Sequence, residues 1–322
     1  MIVDRRLLLG VAVGLVAASI GALYTVFARW GIGHGMQSTD MTFLRFAVAG
    51  VVTLPLLVRL VVLDAPAFLS KWRAWLAVSL LAGPFFGLLM FTALQWAPAS
   101  HAAVFPFTAM SVMGTLMAAI FLGDRLTLRK ISGIAVVITG LVILSGLELA
   151  SMTGKALVGD ALFIVAGTLW AGFGIVMRKN QLNPLTATSV ISISALVTYV
   201  PIYLGFVGLD RLLSTATPVL WTELLIQGLI AGVGTLYTYS KMVALLGPAR
   251  AAIFPALAPG IAALLAWPLL DHVPTSIELM GLFVSIVGLL WTVTGASVGP
   301  LPVSVTMAGT STNLPKISER TT

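Results

Sequence analysis

The sequence contains no cysteine and few charged residues, and both absences exclude whole classes of protein. Without cysteine the chain forms no disulfide and offers no thiolate to a metal or a substrate. Charged residues make up 9% of the chain, whereas a soluble domain averages roughly a quarter. Hydrophobic residues reach 59% and the mean hydropathy is +1.06. A chain this poor in charge is predicted to be an integral membrane protein.

Catalytic and metal-binding patterns are also absent from the sequence. The three histidines, His34, His101 and His272, lie far apart along the chain, and no spacing of histidine with carboxylates matches a metal site. There is no glycine-rich phosphate loop and no nucleophile beside a base. We therefore expect a protein that is not an enzyme and that has no cofactor and no metal.

Long apolar runs dominate what is present. A membrane-spanning helix needs about 20 apolar residues, because the hydrocarbon layer is about 30 Å thick. Short polar or Gly/Pro-containing segments separate ten such runs, and 298–322 is predicted to be a disordered cytoplasmic tail. The predicted fold is an all-α integral membrane protein with ten transmembrane helices. Their approximate bounds are 7–28, 39–60, 74–95, 98–121, 131–147, 157–177, 185–207, 219–240, 249–270 and 276–297.

The basic residues predict how the chain is oriented in the membrane. With the N-terminus inside, the inner segments hold 14 of the 18 Lys and Arg residues. The outer segments hold Arg29, Lys155 and Arg211, and Arg45 lies within the second run. Cytoplasmic loops carry an excess of Lys and Arg, so both termini are predicted to be cytoplasmic in a multi-pass protein of the plasma or inner membrane. This bias also accounts for the net charge of +7, so no nucleic-acid partner is expected.

A repeated hexapeptide indicates that the chain consists of two related halves. HAAVFP at 101–106 returns as RAAIFP at 250–255, 149 residues later. The same offset aligns Arg29 with Arg178, and an offset of 148 aligns Gly133 and Gly140 with Gly281 and Gly288. The predicted domains are two five-helix repeats, 7–147 and 156–297. Because five is odd, the second repeat starts on the opposite side of the membrane, which makes the repeats inverted.

Two segments resemble a known transporter family. Residues 93–127, ALQWAPASHAAVFPFTAMSVMGTLMAAIFLGDRLT, resemble the fourth-helix signature of the EamA branch of the drug/metabolite transporter superfamily, with Asp124 where glutamate is usual. ISGIAVVITGLVIL at 131–144 resembles the fifth helix. In the second half LDHVPT, 270–275, departs from the pattern and places His272 in the acidic position. The resemblance extends over 7–297.

The resemblance implies a secondary transporter, an exporter that moves a small metabolite, amino-acid-like or drug-like, by alternating access. Its partners would be that solute and the lipid bilayer. A nucleotide-sugar or other phosphorylated-solute exchanger is the alternative among carriers, and a membrane-embedded enzyme or structural protein is the alternative outside them. The family's small four-helix relatives carry a membrane-embedded glutamate. Spans one and six of this chain have no counterpart, so no coupling ion is assigned.

Three prolines are predicted to kink their helices. A proline removes one N–H and clashes with the carbonyl of residue i−4, so Pro106 and Pro255 free the carbonyls of Ala102 and Ala251. Pro84, in GPFFG at 83–87, gives the third span the same device. A freed carbonyl at membrane depth is tolerated against protein, water or a cavity. These positions are therefore hinge candidates, with an ordinary packing kink as the alternative.

Aromatic residues inside the spans predict a substrate cavity. Trp170 lies well inside span six, where its indole N–H needs a partner. Phe173 is close to Trp170 along span six, and Tyr24 occupies the position of span one that is equivalent to Phe173. Tyr239 of span eight is a further candidate. Tight helix packing is the alternative for each aromatic ring. For His101, a further candidate, the alternative is a hydrogen-bonded structural role. The predicted cavity residues are Tyr24, Arg45, Phe86, His101, Phe105, Trp170, Phe173, Tyr237 and Phe254.

Arg45 is the basic residue that falls inside a span. An arginine in hydrocarbon costs about 2.5–3.5 kcal/mol on insertion scales and usually faces a bundle interior or a wet cavity. It can extend to the outer interface or pair with Asp40 or Glu148 there. Alternatively, its planar guanidinium holds a substrate carboxylate or phosphate. Both interpretations follow from the sequence.

Overall fold

A computed structural model describes residues 5–63, 65–97, 99–145, 154–262, 264 and 275–294, and these residues are mostly helical, with short turns and no strand among them. The all-α prediction is confirmed for this part of the chain. The α-helices are α1 Arg5–Gly33, α2 Ser38–Leu63, α3 Ala65–Ser70, α4 Trp72–Ala82, α5 Pro84–Trp96, α6 Ala99–Leu122, α7 Leu128–Ser145, α8 Gly154–Lys179, α9 Pro184–Phe206, α10 Asp210–Ser214, α11 Thr217–Glu223, α12 Leu236–Leu246, α13 Pro248–Ala251 and α14 Ser276–Thr294. A π-helix, Leu224–Thr235, joins α11 to α12, and a 3₁₀ turn, Phe254–Leu257, follows α13.

Seven helical stretches among the described residues are long and apolar enough to cross a membrane. They are Arg5–Gly33, Ser38–Leu63, Trp72–Trp96, Val104–Leu122, Gly154–Lys179, Pro184–Phe206 and Thr217–Leu246. The predicted fifth span corresponds to the 18-residue helix α7, and the predicted tenth contains a shorter apolar helix, Leu279–Thr292. The predicted ninth span is described only in part. His272 and the predicted tail 298–322 lie outside the described residues, so the number ten stays a prediction.

Helices α7 and α14 pack against each other through glycine faces. A methyl group on Gly140 would lie 2.8 Å from the carbonyl oxygen of Gly281. A methyl group on Gly288 would lie 2.9 Å from the carbonyl oxygen of Gly133. Residue numbers rise along α7 while they fall along α14, so the two helices are antiparallel. Small residues allow this close approach, which apolar burial cannot drive inside a membrane.

The second half also packs closely against α2. A methyl group on Gly232 of the π-helix would lie 2.6 Å from the carbonyl oxygen of Arg45, and one on Gly228 would lie 3.0 Å from that of Leu44. On another face of α2, a methyl group on Gly50 would lie 2.9 Å from the carbonyl oxygen of Ser192 on α9. Helix α2 is therefore held between two elements of the second half, and its position is set by backbone contact.

A polar cluster joins the two halves at one end of the bundle. Asp40, in the first turn of α2, is fully buried. Its Oδ2 accepts a hydrogen bond from Arg211 Nε at 2.7 Å, and its Oδ1 accepts one from the Tyr203 hydroxyl at 2.6 Å.

A second contact between the halves joins two loops. Lys71 Nζ donates to the Asn180 carbonyl at 3.1 Å, which brings the loop before α4 to the loop after α8.

The two copies of the hexapeptide have different conformations. In the first copy the helix continues through Pro106, which lies inside α6. In the second copy α13 ends at Ala251, Ala252 and Ile253 form a turn, and Pro255 lies in the first turn of the 3₁₀ segment. The Ser111 hydroxyl of α6 donates to the Phe107 carbonyl at 2.8 Å and approaches the carbonyl of Ala252 at 3.4 Å. A neighbouring helix therefore supplies a donor to the broken segment.

Candidate substrate cavity

A cavity lies between elements of both halves. It has about 430 Å³ of empty space, including the part open at its mouth. Its walls come from α1, α2, α5 and α6 of the first half and from α8, the π-helix, α12 and the segment around the 3₁₀ turn of the second. The lining residues are Ala17, Ala18, Gly21, Tyr24, Arg45, Phe86, Phe107, Met110, Trp170, Thr235, Tyr239, Pro255 and Ala258.

Three aromatic rings form one wall of the cavity. The Trp170 ring centroid lies 4.7 Å from that of Phe86 and 4.9 Å from that of Tyr239. Phe173 packs behind this wall, 5.4 Å from Trp170 and 5.8 Å from Tyr239. Rings from α5, α8 and α12 thus form a rigid apolar surface against which a flat or apolar solute can pack.

Arg45 is the charged residue in the cavity lining. Only 2% of this residue is exposed, and its Cζ lies 5.2 Å from the centroid of the Tyr24 ring, a distance suited to a cation–π contact. Its Nε has no hydrogen-bond partner in the described part of the chain. A buried donor without a partner is costly, so this group is available to an anion that enters the cavity.

The sequence-based alternative that paired Arg45 with Asp40 is wrong. Asp40 directs its two carboxylate oxygens at Arg211 and Tyr203. Arg211 comes after α9 and is far from α2 in sequence. The order of the predicted helices therefore does not show that Arg211 contacts Asp40. Glu148, the other predicted partner, lies outside the described residues.

The structure brings four of the nine predicted cavity residues to the cavity lining, namely Tyr24, Arg45, Phe86 and Trp170. Phe173 supports them from behind, and the other four residues lie elsewhere. Tyr237 is 37% exposed, and the cavity is lined by Tyr239 in its place. Tyr237 and Tyr239 are two positions apart on one helix, so their side chains point in directions more than half a turn apart around its axis. Both therefore cannot face the same cavity.

His101, Phe105 and Phe254 form separate contacts. His101 is fully buried, with its Nδ1 2.9 Å from Asp160 Oδ1 on α8. Phe105 lies beside the His101 ring at 5.5 Å. Phe254 packs directly over Gly14 of α1, and its neighbour Pro255 reaches the cavity instead.

The predicted hinge prolines occupy three different local structures. Pro84 begins α5 directly after Gly83, where the helix of the third span is interrupted. Pro255 lies in the 3₁₀ turn at the cavity, whereas Pro106 lies within the continuous helix α6. The carbonyl of Pro106 directly faces Gly167 of α8, so that position is a site of close helix packing.

Some lining residues were not predicted from the sequence. Phe107 and Met110 follow Pro106, and Thr235 ends the π-helix. The small residues Ala17, Ala18 and Gly21 leave the space that the cavity occupies. Clustering of small residues in the two turns before Tyr24 is a weak signal, because the same residues also serve ordinary helix packing.

Comparison with known proteins identifies the family of this architecture. The model of the EamA-like transporter family matches residues 8–146 and again 157–294. The chain belongs to the EamA-like transporter family. Two matches in one EamA-like chain agree with the duplication inferred from the hexapeptide, and the predicted resemblance is confirmed. The family match and the long apolar helices together indicate that the chain is a multi-pass membrane protein of a transporter family.

A solved crystal structure shares the EamA-like fold. It has 16% sequence identity and a TM-score of 0.64, covering 88% of this chain and 96% of the other. At that identity the similarity concerns the fold alone. No curated protein matches the sequence.

Proposed function

We propose that this EamA-like protein is a secondary transporter that exports a small organic anion, a carboxylate-bearing metabolite of amino-acid-like or drug-like size, by alternating access. The observation that carries the proposal is the cavity between the two halves, with aromatic walls and the unpartnered Nε of Arg45. The guanidinium fork suits a carboxylate, and the rings suit an apolar group attached to it. The direction of transport is part of the proposal and is supported by the family resemblance alone.

The nucleotide-sugar alternative is less well supported. A diphosphate carries at least two negative charges and is usually held by several cations or backbone amides. The described lining supplies one guanidinium, with Thr235, the two tyrosine hydroxyls and the Trp170 indole N–H as its other side-chain polar groups. A single guanidinium matches a monoanion better.

The transporter proposal includes ten helices in inverted repeats, with both termini cytoplasmic. The contacts of α7 with α14 support this arrangement. Gly133 meets Gly288 and Gly140 meets Gly281, while the repeat equates Gly133 with Gly281 and Gly140 with Gly288. A two-fold axis exchanges these two contacts. Because the helices are antiparallel, the axis lies in the membrane plane, which is the geometry of inverted repeats.

Alternating access requires that the cavity open in turn to each side. Arg45 is almost completely enclosed, so a solute reaches it only when the halves move. The interruption at Gly83–Pro84 and the 3₁₀ turn at Pro255 are places where helices already lack continuous hydrogen bonding. One lies in each half, and both adjoin cavity-lining residues. We assign the flexing to these two breaks.

Ligand binding tests the proposed substrate class. The purified protein should show quenching of Trp170 fluorescence by benzoate, and much weaker quenching by phenethylamine, which carries the same ring with a positive charge. Trp170→Phe is the matched control, since the chain has eight tryptophans and only the cavity signal should disappear. Equal quenching by both compounds would contradict the selection of anions.

Transport in liposomes tests the carrier itself. Preloaded unlabelled benzoate should accelerate the entry of labelled benzoate, and the recovered label should be chemically unchanged. Counterflow of this kind requires a binding site that alternates between the two sides. Conversion of the label to another compound would favour the membrane-embedded enzyme, and absence of counterflow for any bound carboxylate would favour a structural protein.

A further inference from the structure

A carboxyl group outside the cavity lining is buried between the two halves. Glu223 is the last residue of α11 and directly precedes the π-helix. It is fully buried. One carboxylate oxygen lies 2.6 Å from the position that a methyl group on Gly31 of α1 would occupy, and the Met41 methyl of α2 crowds the same point. The carboxyl group therefore lies where α1, α2 and the π-helix meet.

No cation neutralises this carboxyl group in the described part of the chain. Neither of its oxygens meets hydrogen-bond geometry, although Gln227 and the backbone of Gly31 lie beside it. Neither α11 nor the π-helix carries another titratable residue. The nearby charged or titratable groups of α1, of α2 and of the loop between them have their own contacts. These contacts are Arg29 with the Ala97 carbonyl, His34 with the Trp30 carbonyl, Asp40 with Arg211, and Arg45 with Tyr24.

A proton satisfies both unpartnered groups at this site. An ionised carboxylate without a cation is very costly inside a protein, and a protonated one is neutral. The Gln227 side-chain oxygen also lacks a partner, while its nitrogen donates to the Tyr24 carbonyl at 3.0 Å. A protonated Glu223 can donate its O–H to that oxygen, and each group then has a partner.

A metal ion fits the site poorly. Cations of the calcium and magnesium type take about six or more oxygen ligands. Here the unpartnered oxygens are the two of Glu223 and the one of Gln227, and the Met41 methyl and the backbone of Gly31 occupy the adjacent space. A proton requires no additional volume.

We propose that Glu223 is the proton-binding site of this transporter, and that release of its proton is coupled to separation of α1 from the π-helix. In the enclosed state the carboxyl O–H bonds to Gln227. When the interface opens, the proton passes to water, leaving a solvated carboxylate and a hydronium ion. The coupling rests on the proposed transport function, whereas proton binding at Glu223 is independent of it.

The contacts explain how this site communicates with the cavity. Gln227 binds the carbonyl of Tyr24, whose ring lies under Arg45 in the cavity wall. The π-helix that begins after Glu223 ends at Thr235, which also lines the cavity. π-Helical segments occur frequently at functional sites and give a helix an alternative register. A change at Glu223 is thus transmitted to the solute site through a single short element.

Infrared spectroscopy tests the proton site without any solute. The full-length protein in lipid should show a protonated-carboxyl band near neutral pH that is absent from Glu223→Gln. Asp124→Asn, which removes a partly exposed carboxylate elsewhere, should retain the band. A wild-type spectrum identical to that of Glu223→Gln would overturn the proposal. So would loss of the band when sodium chloride replaces choline chloride at constant pH, which would indicate a metal site.

Cysteine labelling tests the coupling, again without a transported solute. Thr235→Cys places a single thiol in the cavity wall of a cysteine-free chain. The labelling rate of this thiol is measured in the wild-type background and in the Glu223→Gln background. The ratio of the two rates does not contain the thiol's own dependence on pH. We expect this ratio to change by about tenfold per pH unit over the titration of the group, since one proton shifts a linked equilibrium by that factor. A ratio constant from acid to alkaline pH would overturn the coupling, and failure of benzoate transport would contradict only the proposed function.

Discussion

At the scale of single residues, the proposed selection of anions rests on Arg45. A guanidinium in an enclosed, low-dielectric site interacts strongly with an anion because little water screens it. The Tyr24 ring stabilises its charge from one side and leaves Nε without a partner. An anion therefore removes an unsatisfied donor when it binds, while a cation adds repulsion.

Substitution of Arg45 should weaken anion binding in a graded way. Hydrogen bonds to charged groups contribute about 1.5–3 kcal/mol, so Arg45→Gln should raise the dissociation constant for benzoate by about 10- to 100-fold. Arg45→Lys keeps the charge but loses the two-pronged geometry and should cost less. The measurement is quenching of Trp170 on purified protein. Arg29→Gln, whose side chain contacts the Ala97 carbonyl, is the matched control. A fall in protein abundance that matches the loss of transport would assign Arg45 a structural role only.

The Asp40–Arg211 pair should stabilise the fold without depending on ordinary pH. Its hydrogen bonds to Asp40 raise the pKa of Arg211 above the usual value. A raised pKa gives stability that is fully present below the unfolded pKa and is lost only in stronger alkali. Arg211→Ala leaves Asp40 buried without its cation and should lower the thermal unfolding temperature at both about pH 6 and about pH 9, because the arginine of the wild-type pair is protonated at both. A stability loss confined to one of these pH values would contradict the assignment.

At the scale of elements, interruptions in helices adjoin the cavity. The third span breaks at Gly83–Pro84, the predicted ninth span breaks at the 3₁₀ turn, and the predicted eighth contains the π-helix. Each change of hydrogen-bonding pattern lies beside lining residues. Regular helices carry the glycine contacts between α7 and α14 and the contact of Gly50 on α2 with α9, whereas Gly228 and Gly232 of the π-helix supply the other contacts with α2. The bundle thus combines rigid interfaces with a few deformable joints.

The two repeated prolines should differ in their effect on transport. Pro255 lies in a broken segment at the cavity, so Pro255→Ala restores an N–H where the chain is free to rebuild helix. Pro106 lies within a continuous helix, so Pro106→Ala should alter transport less. We expect slower counterflow in Pro255→Ala with unchanged membrane abundance. Equal rates in both variants and in the wild type would remove the hinge role, and parallel loss of abundance would favour a packing role.

At the scale of the whole molecule, the proposed inverted repeats would place equivalent loops on opposite sides of the membrane. Contacts between distant loops agree with this: Lys71 reaches Asn180, and Arg211 reaches Asp40. By the proposed topology the first pair is cytoplasmic and the second is on the outer side. Loops assigned to one side therefore do meet in space.

Labelling of single cysteines checks the topology directly. Gly154→Cys and Ser214→Cys should react with an impermeant maleimide on intact cells, whereas Ser70→Cys and Asn180→Cys should react only after permeabilisation. All four positions are exposed, and the chain has no native cysteine to interfere. Reaction of equivalent loops of both halves from the same side would rule out the inverted repeat.

Much of the architecture was predictable from the sequence because it depends on composition and on order along the chain. The scarcity of charge predicted a membrane protein, the apolar runs predicted helices, and the hexapeptide predicted two halves. Trp170 and Arg45 were identifiable as site candidates because a polar group at membrane depth is costly unless it faces a partner or a cavity.

The tertiary structure alone decided which faces of the helices meet. Helices in lipid are apolar on nearly every side, so no amphipathic stripe distinguishes the buried face from the lipid-facing one. For this reason Tyr239 and Tyr237 could not be separated beforehand, nor could the partner of Asp40 be identified. The burial of Glu223 depends on Gly31 and Met41, which are contributed by two other helices. The conformation at Pro255 likewise differs from that at Pro106 because the two similar segments pack against different neighbours.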